Sequence, residues 1–84
     1  MEFLAISRPV PGAAHDRIGS RIPDHLEWVA RQLHVGDIIR AGRWGKGGTY
    51  TVVAPDEATA TTIVGEDPLV ASGLVQVEMA VIVP

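Results

Sequence analysis

Cysteine is absent from the 84 residues, which removes disulfides and thiolate chemistry from consideration. Basic charge is scarce as well. Seven Lys and Arg stand against ten Asp and Glu, a formal net charge of −3. A protein that grips phosphate backbones needs the opposite balance, so no nucleic-acid partner is expected. Long apolar runs are also missing. The longest, Met79–Val83, falls far short of the ~18 residues that span a bilayer, so no membrane partner is expected. The opening Met1-Glu2-Phe3-Leu4 carries an acid and no basic segment, which gives no export signal and predicts a cytoplasmic location.

What is present is a hydrophobic fraction of 46% beside a charged fraction of 20%, too apolar for a disordered acidic tail. The length predicts one domain over residues 1–84. A chain this short buries only about 60–65% of its unfolded surface, so it carries more apolar surface than it hides easily.

Glu2–Arg8 alternates loosely and reads as a strand, broken by Pro9, Pro11 and Gly12. Ala13–Gly19 is ambiguous, because Gly19 and Ser20 interrupt any long helix. Pro23 and Asp24 open a clear one: proline suits the first turn and an acid suits the positive helix end. Leu26, Val29, Ala30 and Leu33 form its apolar stripe, and Gly36 stops it. Asp37–Trp44 reads as a second strand and Thr49–Ala54 as a third, joined by the hairpin turn Gly45-Lys46-Gly47-Gly48. Asp56 caps a second helix with Ala60, Ile63 and Val64 on one face, ended by Gly65. Asp67-Pro68 starts a short helical bend closed by Gly73, and Leu74–Val83 is the last strand.

The order β-α-β-β-α-β predicts an α+β, ferredoxin-like fold: four antiparallel strands with the helices on one face. In the last strand Val75, Val77, Met79, Val81 and Val83 share a face. Two helices cover one face of such a sheet, and an apolar second face must meet something else. Burying the four valines and Met79 would contribute about 7–15 kcal/mol before entropy. A homodimer packed sheet against sheet is therefore expected.

Histidine is the side chain most easily poised near neutral pH, and there are three: His15, His25 and His34. His25 and His34 fall on opposite sides of one helix, and no acid sits at zinc-ligand spacing with two of them, so no metal is expected. His25 lies in the first turn of the expected helix, beside the stripe and three residues before Trp28. It reads either as a general base against an aromatic wall or as a solvated first-turn histidine. Asp67 reads either as an N-cap or as an acid that orients an imidazole. Sequence distance does not say whether residues 25 and 67 meet.

The glycine-rich stretch joins two strands, unlike phosphate-cradling loops, which run from strand into helix. Arg40, Arg43 and Lys46 beside it form either a solvated strand end or a contact for an anionic substrate, with Arg43 the one assigned to substrate. Trp28, Trp44 and Tyr50 could wall a pocket for a ring.

Three segments resemble the YCII-related family. Asp67-Pro68-Leu69-Val70-Ala71-Ser72-Gly73-Leu74 is similar to its Asp-Pro signature, Arg21–Leu26 to its segment in which an arginine precedes His-Leu, and Ile39–Gly42 with Gly47-Gly48 to its Ala-Gly and Gly-Gly stretch. The chain departs from the pattern at Trp44-Gly45, at Ser72 and in its tail. The resemblance implies a dimeric α/β barrel, with His25 and Asp67 in the positions of the family's His–Asp pair. Members with assigned activity include a dehydrochlorinase acting on chlorinated hydroxyquinols.

The function expected is a small cofactor-independent enzyme of the lyase or isomerase type. A His25–Asp67 pair would carry out elimination, isomerisation or a related proton transfer on a small aromatic or lactone-like metabolite. The alternative is a non-catalytic dimer that binds a small ligand or a partner in the same cleft.

Overall fold

The protein is described here from a computed structural model covering residues 1–44 and 47–84, with Trp44 described in its backbone alone. The chain runs β1 (Glu2–Pro9), α1 (His15–Val35), β2 (Ile38–Trp44), β3 (Gly47–Val53), α2 (Glu57–Gly65), α3 (Pro68–Ala71) and β4 (Val75–Val83). The strands form one antiparallel sheet in the order β2-β3-β1-β4. This is the ferredoxin-like arrangement, with β1 and β3 at the centre and the helices on one face.

The core is the layer between that face and the helices. Alternation along β1 buries Phe3, Ala5 and Ser7, while β3 buries Tyr50, Thr51 and Val52 in succession, with Tyr50 and Val52 on the face of those β1 residues and Ala54 buried just beyond its end. Trp28 and Val29 of α1 and Ala60 and Val64 of α2 close over them. Asp56 caps α2 as expected, its side chain accepting from the Thr59 amide at 2.7 Å. Gly36 ends α1 with φ 89°, in the left-handed region where a side chain would be strained.

Helix α1 corrects the sequence reading. It is one helix of 21 residues that passes through Gly19, Ser20 and Pro23 rather than starting at Pro23. Ile18, Ile22, His25, Val29 and Gln32 are all buried or half-buried, and their spacing of four, three, four and three is one continuous helical face. Docking that face on the sheet outweighs the cost of a glycine and of the backbone bond lost at Pro23. Both residues sit on the exposed side, where a carbonyl left without its amide partner is not shut away from solvent. The stripe shifts accordingly: Val29 is buried, but Leu26 is 58% and Leu33 43% exposed.

The face of β4 is a second correction. Val77 pairs with Ser7, Met79 with Ala5 and Val81 with Phe3, so these side chains share the helix-covered face with the buried residues of β1. Val77 and Met79 pack on the chain's own core. Only Val83, beyond an irregularity in register near Glu2, pairs onto the other face. That open face carries Leu4, Ile6, Val53 and Ala80 together with the ion pairs Arg8–Glu78 and Arg40–Glu2.

Pairing of β2 with β3 closes at Trp44 and Gly47. Of the expected turn, Gly45 and Lys46 lie outside the described residues, while Gly47 and Gly48 belong to β3. Gly47 has no room for a side chain, because a Cβ there would collide with the backbone carbonyl of Ser7.

Candidate active site

Asp67 stands between α2 and α3. Its amide donates to the Val64 carbonyl and its carbonyl accepts from the Ala71 amide. Pro68 at the first position of α3 needs no amide partner. The Asp67 side chain is fully buried. Its Oδ1 accepts from the Leu69 amide at 2.9 Å, which makes Asp67 the cap expected from sequence.

The same oxygen lies 2.8 Å from Nδ1 of His25, contributed by the middle of α1. Tyr50, from the centre of β3, donates its hydroxyl to Oδ2 at 3.3 Å. The buried carboxylate thus accepts from a backbone amide, an imidazole and a phenol. Each is a donor that a charged acceptor strengthens. Burial first, and the neighbouring Asp67 charge second, push Tyr50 far above the ordinary tyrosine range, so its hydroxyl keeps its proton and remains a donor.

His25 is not in a first turn, as expected, but ten residues into its helix, beyond reach of the terminal dipole. What orients it is Asp67 on one edge and Trp28 on one face. The two rings stack with centroids 6.5 Å apart, and Trp28 in turn meets Tyr50 edge-on at 5.7 Å. With Nδ1–H directed at the carboxylate, neutral His25 carries its lone pair on Nε2. That nitrogen has no hydrogen-bond partner among the described residues.

His25 borders a cavity of about 270 Å³ at the end of the sheet where β1 and β2 finish and β3 and β4 begin. Ile18, Ile22, Leu26 and Val29 wall it from α1, and Leu69 and Val75 from the far side. The hairpin edge wall is largely backbone: Ala41, Gly42, Gly47 and Gly48. Tyr50 and Arg43 also line it. Trp28, expected as a wall, lies behind the imidazole and not on the cavity surface. Trp44 as a wall concerns a side chain outside the described residues. Sequence reasoning passed over Ile18 and Ile22, although their spacing with Val29 continues the helical face N-terminally through Pro23.

The fold and this site define a small ferredoxin-like domain with a carboxylate-oriented histidine at a ring-sized cavity. The chain belongs to the YCII-related family, whose model matches residues 1–82. Among solved structures, the chain is similar to 5-chloro-2-hydroxyhydroquinone dehydrochlorinase (TftG) from Burkholderia phenoliruptrix AC1100, in complex with 2,5-dihydroxybenzoquinone. The TM-score is 0.75 at 20% identity, over 96% of this chain and 92% of that one, a likeness of fold. No protein of curated function matches the sequence. No helix among the described residues is long and apolar enough to cross a membrane.

Proposed function

We propose that this protein is a cofactor-independent enzyme of the lyase or isomerase type, acting by proton transfer on a small aromatic or lactone-like metabolite. The observation that carries this reading is the buried Asp67 carboxylate on Nδ1 of an imidazole whose Nε2 is free beside an apolar cavity. Such an imidazole accepts a proton through Nε2, and Asp67 balances the imidazolium that results. In an elimination, Nε2 takes a proton from a substrate carbon, or from a hydroxyl of a ring in its keto tautomer; the electron pair of the broken bond forms the new double bond, directly or through conjugation, and the leaving group departs with its own pair. In an isomerisation, the imidazolium returns the proton to a different carbon. A volume near 270 Å³ suits one substituted ring. The dehydrochlorinase of like fold acts on such a ring.

The test is turnover. With 5-chloro-2-hydroxyhydroquinone as the first probe, and ring-sized lactones monitored for solvent deuterium uptake as the second, His25→Gln should lower kcat by at least ~100-fold. Turnover by His25→Gln at the wild-type rate would overturn the assignment.

The same reading includes a homodimer formed through the open face of the sheet. Leu4, Ile6, Val53 and Ala80 give that face an apolar centre between the two ion pairs, and the helices leave it uncovered. Sedimentation of a single subunit at micromolar concentration would remove the dimer while leaving the His25 chemistry in place.

A further inference from the structure

The charge around the cavity is opposite to that of the chain. Acids outnumber basic residues ten to seven overall. Yet among the described residues that line the cavity, no Asp or Glu appears, and the charged side chains are Arg8 and Arg43. Asp67, behind the wall, is fully buried, and its oxygens are taken by His25, Tyr50 and Leu69.

The two arginines differ in what holds them. Arg8 sits 3.6 Å from Glu78. Arg43 is exposed at the end of β2 and makes no ion pair or hydrogen bond with the described residues. Its strand neighbour Arg40, on the opposite face, is paired with Glu2 at 3.5 Å. The Ser7 hydroxyl is already donated to the Gly48 carbonyl. A cationic fork from β2 and the imidazole from α1 therefore border one small cavity, whose lining also includes the paired Arg8.

We infer that the ligand of this cavity is a ring-sized oxyanion, a carboxylate or an enolate, whose charged oxygen is held by Arg43. The inference rests on the proposed proton-transfer reading and names the substrate class for it. A guanidinium presents its N–H groups in a planar fork that matches two oxygens. It also suits the chemistry. Removing a proton from carbon to His25 leaves negative charge in the ring, and a cation already placed at the ring oxygen stabilises that charge as it develops.

Binding tests this without any turnover. Two matched pairs serve as probes: benzoate against benzamide, and 2,5-dihydroxybenzoquinone against hydroquinone, each titrated by calorimetry into the full chain. The wild type should bind the anionic member of at least one pair ~10-fold or more tightly than its neutral partner. The pair that shows the preference tells carboxylate from enolate. Arg43→Gln should remove that preference while leaving the neutral probe within about twofold. Arg43→Lys should retain part of it, and Arg40→Gln all of it. Equal binding of charged and neutral probes would overturn the inference. So would an unchanged ratio in Arg43→Gln, an equal loss in Arg40→Gln, or no binding of any probe at millimolar concentration. Loss of the charge preference leaves the His25 chemistry standing, and an active His25→Gln variant leaves the charge preference standing, so the two readings fail separately.

Discussion

Nδ1 of His25 and Oδ1 of Asp67 lie 2.8 Å apart, although 42 residues separate them in the chain. The contact ties the middle of the long helix to the N-terminus of a four-residue one. It leaves a single imidazole nitrogen for chemistry. The carboxylate that makes it also caps α3 and receives the Tyr50 hydroxyl, so structure and chemistry share one side chain.

Removing that carboxylate should therefore cost stability and tautomer control together. Asp67→Ala leaves the Leu69 amide, the Tyr50 hydroxyl and the His25 Nδ1–H without their buried acceptor. Unfolding free energy should fall by about 2–4 kcal/mol. Nitrogen NMR of the imidazole should show Nδ1–H in the wild type and a mixture of tautomers in the variant. A variant as stable as wild type in urea, with His25 still in one tautomer, would show that Asp67 does neither job.

Tyr50 makes stability depend on alkaline pH. In the folded chain its ionisation is pushed far upward by burial and by Asp67. In the unfolded chain it ionises near its ordinary value of about 10. The contribution is fully present below pH ~10 and is lost as pH rises above it, because the unfolded state then gives up a proton that the folded state retains. Tyr50→Phe should flatten the decline of stability measured by urea denaturation between roughly pH 9 and 11. Identical slopes in the two proteins would assign the alkaline sensitivity elsewhere.

Gly47 and Gly42 should respond differently to the same substitution. A Cβ on Gly47 meets the Ser7 carbonyl of the neighbouring strand, whereas one on Gly42 finds its nearest atom, the Thr49 hydroxyl oxygen, at 3.8 Å. Gly47→Ala should destabilise by about 1–3 kcal/mol through a forced backbone shift. Gly42→Ala should stay within about 0.5 kcal/mol of wild type. Thermal unfolding of the two variants side by side checks the contrast.

Much of the fold was legible because its signals are local. Asp56 and Asp67 as caps, Gly36 and Gly73 as helix stops, and the order of strands and helices all follow from residues within a turn of one another. The start of α1 was misread for the same reason. Gly19 and Pro23 are unfavourable locally, and only the sheet beneath Ile18 and Ile22 makes the longer helix worthwhile. That shift of origin also moved His25 from a helix terminus to a helix centre.

The sequence by itself determined the elements, the caps, the family motifs and the candidacy of His25 and Asp67. Tertiary structure alone decided which face of β4 the helices cover, since strict alternation in a strand is symmetric until something docks on one side. It alone decided, too, that Tyr50 joins the pair and that Trp28 stands behind the imidazole. Hydrogen bonds across 42 or 17 residues leave no periodic trace in the chain. They exist because the core draws α1, β3 and the start of α3 together, and a buried carboxylate must be met by donors from all of them.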